Sequence, residues 1–234
     1  MPSKLIKSST PAIDVANEIA SIVRQNPVCI LGLATGSTPI PVYNELIRLH
    51  KEEKLDFSQV KTINLDEYYG ISGSHHQSYK YFMYENLFKH INIKPENTNF
   101  LNGEVKQEDI QQECDRYESL VQQSPPDIWL LGIGHNGHIA FNEPGSDGTS
   151  KTRLVQLSES TIKANARFFQ EGEHIPNSSL TVGISTILKA KKHVLLATGA
   201  AKSDAVHQAF GAISSDCPAS YLKETDCHFY VDFD

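Results

Sequence analysis

The feature that most constrains the fold of this chain is an alternation of short apolar runs with longer amphipathic segments of helical period. Such an alternation is typical of a parallel sheet whose two faces are covered by helices. The predicted strands are 28–33, 60–65, 128–133, 193–197 and 228–231. The predicted helices are 12–24, 38–53, 78–90, 108–122, 184–190 and 202–210. We therefore expect an α/β protein with an open, mostly parallel sheet.

The length of 234 residues favours one α/β domain that spans residues 1–234. Within it the segment 145–179 differs, because it is polar, carries glycines and Pro176 near its ends, and holds one predicted helix around 160–169. We interpret this segment as a helical lid, a mobile cover over a site. The alternative interpretation is an ordinary surface loop that contains a helix.

Composition and charge exclude several classes of function. The amino terminus lacks the apolar core of a signal peptide, and no apolar run is long enough to span a bilayer. The four cysteines are spread without a C-x-x-C pair, which suggests neither a zinc site nor a disulfide scaffold and fits a reducing cytoplasm. The formal net charge of −7 argues against a nucleic-acid partner, because a phosphate backbone demands a basic face. We expect a cytoplasmic protein without a membrane or nucleic-acid partner.

The turn after the first predicted strand has the features of an anion-binding site. Thr35, Gly36, Ser37 and Thr38 precede Pro39, and the predicted helix is opened by Ser37 or Thr38 with Pro39 in its first turn. Backbone N–H groups at a helix N-terminus, together with hydroxyl groups, suit a phosphate. A plain capped turn is the alternative. The turn matches neither the Walker loop nor the dinucleotide fingerprint, which disfavours ATP and NAD.

Two adjacent carboxylates, Asp66 and Glu67, follow the second predicted strand at its carboxyl end. Open parallel sheets place their ligands at this end, so one of the two is a candidate general base. Because side chains alternate in extended backbone, we expect one to face the cleft and the other to turn elsewhere. The alternative is that both cap the next element or pair with lysines in solvent.

The most informative segment runs from Gly132 to Gly145, directly after the third predicted strand. It crowds glycines together with His135 and His138 into one turn and places Glu143 shortly afterwards. Glycines permit close approach of the backbone to a ligand, and a histidine beside a carboxylate is a tunable proton carrier near neutral pH. His135, His138 and Glu143 are also possible metal ligands. Their spacing matches none of the common metalloenzyme motifs, so we rank a metal lower and expect none.

Two cations are candidates for neutralising an anionic ligand of this net-negative chain. Arg167 lies within the segment 145–179, and Lys202 begins the helix predicted after the fourth strand. A lysine in the first turn of a helix is unfavourable with the helix dipole, so its presence suggests a nearby anion. Each residue taken alone is more often a solvated surface charge.

Taken together, these motifs resemble those of the glucosamine-6-phosphate deaminase family, with agreeing order and spacing over nearly the whole chain. The matching phrases are Thr35-Gly36-Ser37-Thr38-Pro39, Leu65-Asp66-Glu67-Tyr68, Gly137-His138-Ile139-Ala140-Phe141-Asn142-Glu143-Pro144, Ala166-Arg167-Phe168-Phe169 and Leu180-Thr181-Val182-Gly183. The third phrase is specific, whereas the first is shared with 6-phosphogluconolactonases. The resemblance implies a Rossmann-like sheet and the conversion of glucosamine 6-phosphate and water into fructose 6-phosphate and ammonia, without a metal or an organic cofactor.

The resemblance also implies a role for each matching residue. Asp66 is expected to be the general base that takes the proton from C2 and returns it to C1 through an enolamine. His138 is expected to open the sugar ring, with Glu143 beside it to tune its charge. The positions that match phosphate-binding residues are Thr35, Gly36, Ser37, Thr38, Arg167 and Lys202.

One position departs from the family pattern. Many members have Asp two residues before the ring-opening histidine, whereas this chain has Asn136. An amide can accept a hydrogen bond and orient the ring of His138, but it cannot stabilise an imidazolium as an anion does. We include Asn136 in the predicted site and assign that electrostatic task to Glu143.

Two rival interpretations remain open. One is a 6-phosphogluconolactonase or another sugar-phosphate isomerase, although the run Phe141-Asn142-Glu143-Pro144 favours the deaminase. The other is a non-catalytic sugar-phosphate-sensing domain of a transcription regulator on the same fold. Such a regulator needs a DNA-binding domain, and no helix-turn-helix or basic segment precedes Ile30.

We expect a monomer or a small oligomer with hyperbolic kinetics, although larger members of the family are allosteric hexamers. In those members a tail beyond the last strand, and a basic residue two positions after the one matching Arg153, contribute to the effector site. Here that position is Val155, and the final apolar run 228–231 is followed by three residues. Parts of the second site that allostery requires are therefore expected to be missing.

Overall fold

The computed structural model describes residues 2–166 and 169–233. The strands formed by these residues are β1 (Lys4–Lys7), β2 (Ile30–Leu33), β3 (Lys61–Asn64), β4 (Asp66–Tyr68), β5 (Thr98–Asn99), β6 (Ile128–Leu131), β7 (Arg153–Gln156), β8 (Ser178–Thr181), β9 (His193–Ala197) and β10 (Cys227–Val231). The helices are α1 (Pro11–Gln25), α2 (Ile40–Glu53), α3 (Tyr79–Asn86), α4 (Ile110–Gln123), α5 (Glu159–Ala166), α6 (Ile184–Ile187) and α7 (Ser203–Ala209). Among the described residues, every helix falls short of the length and apolar character that a membrane span requires.

The central sheet is parallel throughout. Its strands are ordered β1-β10-β9-β6-β2-β3-β5, and each neighbouring pair runs in the same direction. A second, antiparallel sheet has the order β4-β8-β7 and begins directly after β3 along the chain. The expected class, a Rossmann-like α/β fold with a mostly parallel sheet, is confirmed. The small antiparallel sheet is absent from the sequence-based prediction.

Helices cover both faces of the central sheet because the side chains of its strands alternate between two apolar cores. In β6, Ile128 and Leu130 belong to the core formed with α1 and α2, whereas Trp129 and Leu131 belong to the core formed with α4 and α7. The apolar residues that α1 buries recur at the period of an amphipathic helix: Val15, Ala16, Ile19, Ala20 and Val23. Burial on both faces explains why the strands were recognisable as continuous apolar runs.

The centre of the sheet depends on a close contact between β2 and β6. Gly32 pairs with Trp129, and a Cβ atom at position 32 would lie 2.3 Å from the indole ring. Because the indole is fully buried, any larger residue at position 32 would displace it from the core. Gly32 therefore allows the single tryptophan of the chain to pack directly over the neighbouring strand.

The strand order reverses between β2 and β6. From β2 the chain continues to β3 on one side, whereas β6 is followed by β9 and β10 on the other side. In open α/β sheets a crevice forms at such a point, outside the carboxyl ends of the strands, and it commonly binds the ligand. The topology therefore indicates where a site is to be sought.

Most predicted elements are present with shifted ends. Strand β9 has the predicted bounds, whereas β2 begins at Ile30 because Val28 lies in the preceding turn and is 59% exposed. Helix α3 ends at Asn86, before the predicted end at residue 90, and the chain tightens into a 3₁₀ turn at Phe88–His90. The strands without a sequence-based prediction are β1, β4, β5, β7 and β8.

The segment 145–179 contains β7, α5 and the start of β8. Strand β8 lies between β4 and β7 in the small sheet, with Thr181 opposite both Asp66 and Arg153. Helix α5 ends at Ala166, whereas the predicted helix extends to residue 169 across two residues outside the described part of the chain. The segment is thus joined by strand pairing to the stretch that carries Asp66.

Candidate active site

A cavity of about 540 Å³ opens at the carboxyl ends of β2, β3 and β6. Its walls come from residues 34–40 after β2, from Leu65 and Asp66 after β3, and from residues 132–134 and His138 after β6. The beginning of α3 forms a further wall. The cavity lies where the strand order reverses, which is the position expected for a ligand in an open α/β sheet.

The turn that follows β2 lines the cavity with Thr35, Gly36, Ser37 and Thr38. Helix α2 begins at Ile40, directly after this turn. Within the described ranges, no side chain caps the N-terminus of α2 by a hydrogen bond. In the first turn of α2, Pro41 has no N–H and the Ile40 N–H donates to the Ser37 carbonyl oxygen at 3.4 Å. The hydroxyl groups of the turn and the N–H of Val42 are therefore left for an anion in the cavity.

Asp66 and Glu67 face opposite directions, as expected for consecutive residues of a strand. Asp66 lines the cavity, whereas Glu67 accepts the N–H groups of Tyr68, Tyr79 and Lys80 at 2.9, 2.9 and 3.0 Å. Burial, and then the charge of Glu67, raises the pKa of Asp66 to about 8. Burial also raises the pKa of Glu67 to about 7, although the three N–H groups act to lower it. Because three N–H groups stabilise its carboxylate, Glu67 is the first of the pair to ionise, and burial makes Asp66 a strong base when deprotonated.

Asn136, His138 and Glu143 form a hydrogen-bonded chain beside the cavity. His138 Nδ1 lies 2.7 Å from Asn136 Oδ1, and Asn136 Nδ2 donates to Glu143 Oε2 at 2.7 Å. The direct distance from His138 Nδ1 to Glu143 Oε2 is 3.6 Å. Because the amide oxygen is an acceptor, Nδ1 carries the proton, and Nε2 is the nitrogen that can exchange a proton with a ligand. The nearby imidazole of His138, and then the hydrogen bond from Asn136, lower the pKa of Glu143 despite burial, so this carboxylate is ionised.

The ring of His138 packs directly against the backbone of Gly134. A Cβ atom at position 134 would lie 2.2 Å from the imidazole, so only glycine permits this contact. The Gly134 N–H also donates to the His138 carbonyl oxygen at 2.9 Å, which closes the turn. The glycine that the sequence placed near the histidine thus sets the position of its ring.

Of the two predicted cations, the structure describes one. Lys202 donates from Nζ to the carbonyl oxygen of Ile133 at 2.8 Å, and Ile133 lines the cavity. Burial lowers the pKa of Lys202. Lys202 occupies the N-cap position of α7, one residue before the helix begins. Arg167 lies outside the described residues.

Three aromatic residues beside Asp66 were missed by the sequence analysis. The rings of Tyr68 and Tyr79 are 4.8 Å apart, and each lies 6.2 Å from the ring of Phe141. All three residues line the cavity. They form an apolar wall next to Asp66, which we call the aromatic wall. Aromatic residues flanking a candidate base were a possible signal, but Tyr79 belongs to α3, which no motif connected with Asp66.

The ligand set that the sequence offered for a metal does not converge. Among the residues that the structure describes, His135, His138 and Glu143 do not form a group with mutually close ligating atoms. His135 Nδ1 instead lies 3.1 Å from the carbonyl oxygen of Ala201. His138 and Glu143 remain as a hydrogen-bonded pair linked through Asn136.

A different group of possible ligands joins the segment 145–179 to the loop before α3. The Nε2 atoms of His75 and His76 lie 3.6 and 3.5 Å from the carboxylate oxygens of Glu173, and the two rings stack at 4.6 Å. The Gln77 N–H donates to His75 Nδ1 at 3.1 Å, so the neutral ring carries its proton on Nε2 and directs it towards Glu173. A histidine that binds a metal through Nε2 instead needs Nδ1 as a donor. We therefore interpret this group as a hydrogen-bonded contact.

Comparison with known proteins places this architecture in a family. A family model described as glucosamine-6-phosphate isomerases/6-phosphogluconolactonase matches residues 7–230. Glucosamine-6-phosphate deaminase 1 of Giardia intestinalis is 56% identical, over 100% of this chain and 89% of that protein. Glucosamine-6-phosphate deaminase of Clostridium perfringens (strain 13) is 48% identical, over 89% of this chain and 86% of that protein.

Solved structures agree with these relatives. A monomeric glucosamine-6-phosphate deaminase is 42% identical and superposes with a TM-score of 0.91, over 99% of this chain and 97% of that chain. A 6-phosphogluconolactonase from Thermotoga maritima is 17% identical, with a TM-score of 0.75 over 98% of each chain. At that identity the lactonase shares the fold with this chain, and the likeness says nothing about its reaction.

Proposed function

This chain belongs to the family of glucosamine-6-phosphate isomerases and 6-phosphogluconolactonases, and from that premise we propose that it is a glucosamine-6-phosphate deaminase. It converts glucosamine 6-phosphate and water into fructose 6-phosphate and ammonia. The observation that carries the proposal is that the buried carboxylate of Asp66 and the hydrogen-bonded His138 line one cavity with an anion-binding turn. Enolisation of a phosphorylated sugar requires these parts. Relatives at 56% and 48% identity bear the name of this activity.

Ring opening is assigned to His138. Its Nε2 accepts the proton of the C1 hydroxyl group, and the same proton is delivered to the ring oxygen as the C1–O bond to that oxygen breaks. While it holds the proton, the imidazole is positively charged, and ionised Glu143 lies 3.6 Å from its Nδ1. Asn136 is a positioning residue, because it bridges the two and fixes the ring orientation and tautomer.

Isomerisation is assigned to Asp66. Its carboxylate takes the proton from C2 of the open-chain sugar while a proton of the substrate ammonium group passes to O1, which gives an enolamine. Asp66 then returns its proton to C1. The product is an imine at C2. Addition of water to this carbon and loss of the amino group as ammonia give the ketose. The aromatic wall keeps bulk water from Asp66 during the transfer.

The substrate itself favours the ionised form of Asp66. In the free site the pKa of Asp66 is about 8, so much of this carboxyl group is protonated near neutral pH. The protonated amino group of the substrate is attached to C2, the carbon from which Asp66 takes a proton. A positive charge one bond away from the carbon that faces the carboxylate lowers the pKa of the carboxyl group. Binding of the amino sugar therefore activates its own base.

The phosphate group is assigned to the turn after β2 and to Lys202. The turn offers the hydroxyl groups of Thr35, Ser37 and Thr38, and the N-terminus of α2 offers its positive end and the N–H of Val42. Lys202 is not a lining residue but is bonded to the carbonyl oxygen of Ile133, which is, and it supplies one positive charge beside the cavity. Arg167, matched by sequence alone, would supply a second. In a chain with a net charge of −7, local cations of this kind are needed to hold a dianion.

Further parts of the proposal concern the protein around the site. The segment 145–179 acts as a cover, since Phe169 packs on Tyr68 at 6.2 Å and Glu173 contacts His75 and His76. The chain acts as a monomer or a small oligomer without allosteric activation, in the cytoplasm. A reducing compartment agrees with its four cysteines, which are unpaired and buried.

The reaction is tested by assaying ammonia release from the purified protein with three compounds in parallel. Glucosamine 6-phosphate is expected to release ammonia and yield fructose 6-phosphate, whereas N-acetylglucosamine 6-phosphate and 6-phosphogluconolactone are expected not to react. The lactone serves as the control for the alternative activity of the same family. Hydrolysis of the lactone at a higher kcat/KM than deamination would assign the site to the lactonase reaction instead.

A further inference from the structure

Glu67 is a buried carboxylate with no part in the mechanism above. It is 2% exposed and turned away from the cavity. Its Oε1 accepts the N–H groups of Tyr68 and Tyr79, and its Oε2 accepts that of Lys80. Tyr79 and Lys80 are the first two residues of α3, whose N-cap residue Ser78 accepts the Tyr81 N–H at 3.0 Å. The N-terminus of α3 is thus held by a carboxylate from β4.

The first consequence of these bonds is a fixed position for α3. Tyr79 contributes its N–H to Glu67 and its ring to the aromatic wall. The same wall excludes water from Asp66, which directly precedes Glu67 in β4. Loss of the Glu67 carboxylate would free two helix donors, each costly to leave unpaired, and would loosen Tyr79 against Tyr68. The bonds of Glu67 therefore connect α3 to the surroundings of the base.

The second consequence is a negative charge beside Asp66 at the pH where Asp66 itself titrates. Three N–H donors and the positive end of a helix favour the ionised form of Glu67 relative to the neutral form. Its negative charge then opposes ionisation of Asp66, the next residue along the strand. The effect makes Asp66 hold a proton more tightly once it has accepted one.

The other titratable groups around this pair do not replace that charge. Tyr79 on α3 and Tyr117 on α4 interact with Asp66, but burial raises the pKa of both, so they stay neutral over the working range. His138 faces the same cavity from the loop after β6. Lys80 on α3 acts on Glu67 as a favourable charge. Glu85 on α3 also lines the cavity, but the carboxylate whose charge raises the pKa of Asp66 is Glu67.

We propose that Glu67 is a positioning residue of this site, which fixes helix α3 and the aromatic wall beside Asp66 and strengthens Asp66 as a base through its negative charge. The proposal deepens the proposed function and rests on Asp66 acting as the base. Glu67 touches no substrate atom and acts through its neighbours.

The test compares Glu67→Gln, Glu67→Asp and the matched control Glu118→Gln. Glu118 is also a buried carboxylate, which accepts hydrogen bonds from Thr152 and Thr186 away from the cavity. The pH dependence of kcat/KM for glucosamine 6-phosphate and the thermal midpoint are measured for each protein. Glu67→Gln is expected to move the acidic limb to lower pH by about one unit or more, since a like charge next to a buried group is removed. Glu118→Gln is expected to lower the midpoint temperature of unfolding without moving the acidic limb of the pH profile of kcat/KM.

Glu67→Asp keeps the charge but shortens the side chain, so it is expected to lower kcat while leaving the limb within about half a unit of the parent. It also provides a folded variant if Glu67→Gln does not fold. An unchanged limb in Glu67→Gln, or an equal displacement in Glu118→Gln, would overturn the proposal. So would a Glu67→Asp limb that moves to lower pH.

A second readout separates this proposal from the reaction itself. The titration of the Asp66 carboxyl carbon is followed by ¹³C NMR in the substrate-free protein, where turnover has no influence. Its midpoint is expected to fall in Glu67→Gln and to stay near that of the parent in Glu118→Gln. A shifted midpoint in a protein that releases no ammonia would reject the proposed function while supporting the effect of Glu67 on Asp66. An unshifted midpoint in an active enzyme would reject the role of Glu67 alone.

Discussion

The carboxyl group of Asp66 meets two opposing demands. A base that takes a proton from carbon has to be strongly basic, and burial beside Tyr68 and Tyr79 provides this by raising its pKa. The same burial makes the ionised form costly for the folded protein. Burial of Asp66 therefore favours catalysis and lowers the stability of the fold when Asp66 is ionised. Replacing Asp66 allows both effects to be measured.

Replacing Asp66 by Asn is expected to lower kcat by about 10²–10⁴-fold, because an amide cannot accept the C2 proton. Binding of fructose 6-phosphate should persist, since the phosphate turn is untouched. Steady-state kinetics and calorimetry measure the two quantities. Asp56→Asn is the matched control, because Asp56 is exposed and bonds to Ser58 and Asn92 outside the cavity. Near-normal turnover in Asp66→Asn would show that another residue is the base.

The same variant is expected to remove part of the pH dependence of stability. The pKa of Asp66 is about 8 in the folded state against an ordinary value of 3.8. Between these values the unfolded chain has lost the proton that the folded chain retains, so the free energy of unfolding falls as pH rises towards 8. Its slope from one such group approaches about 1.4 kcal/mol per pH unit.

Urea denaturation of the parent and of Asp66→Asn at several pH values between 5 and 8 measures this difference. The variant should become progressively more stable relative to the parent as pH rises. Asp56 gives the opposite case, because hydrogen bonds, first that of the Ser58 N–H, lower its pKa. For Asp56→Asn the difference from the parent should stay constant over this range. A constant difference in Asp66→Asn as well would mean that Asp66 ionises normally in the fold.

Among the elements, those that bury a continuous apolar run could be predicted from the sequence, and those defined by their partners could not. Strand β9 has the predicted bounds because all five of its residues are buried. Strand β5 has two residues, and β8 reads Ser-Ser-Leu-Thr. Polar residues of this kind become a buried strand only because β4 and β7 lie on either side. Such pairing joins residues far apart in the chain, which local periodicity cannot reveal.

Lys202, before α7, and the turn before α2 are assigned to the phosphate group, and this assignment can be tested. Replacing Lys202 by Ala is expected to raise KM for glucosamine 6-phosphate by roughly 10–100-fold with a smaller change in kcat, because a charged hydrogen bond to the phosphate is lost. Lys223→Ala is the matched control, since Lys223 also donates to a backbone carbonyl, that of Gly211, outside the cavity lining. Equal affinity of the parent for glucosamine and its 6-phosphate, measured by calorimetry, would remove the phosphate assignment.

The complete site depends on the strand order of the central sheet. Motif by motif, the sequence predicted the turn at 35–38, the carboxylate at Asp66 and the linked residues Asn136, His138 and Glu143, because each stands directly after an apolar strand. The reversal between β2 and β6 brings these segments to one cavity. The aromatic wall and the contact of His75 and His76 with Glu173 were not predicted. They depend on how α3 and the segment 145–179 pack, and no local pattern specifies that packing.

At the level of the assembled protein, we expect a monomer with hyperbolic kinetics that N-acetylglucosamine 6-phosphate does not activate. The solved structure that superposes at a TM-score of 0.91 belongs to a deaminase described as monomeric. Val155 occupies the position where the allosteric members resembled by this chain have a basic residue, and it lies in β7 opposite Ser179. A valine there cannot bind an anionic effector as a basic side chain does.

Allosteric activation needs an effector that binds two states with different affinity, and a site without its cation offers little difference between them. Initial rates are measured over a wide range of glucosamine 6-phosphate, with and without the N-acetyl sugar phosphate, together with light scattering for the mass in solution. A Hill coefficient of about 1 in both conditions and the mass of a single chain are expected. A sigmoidal curve that the effector makes hyperbolic, in a particle of several chains, would show that other surfaces form the second site.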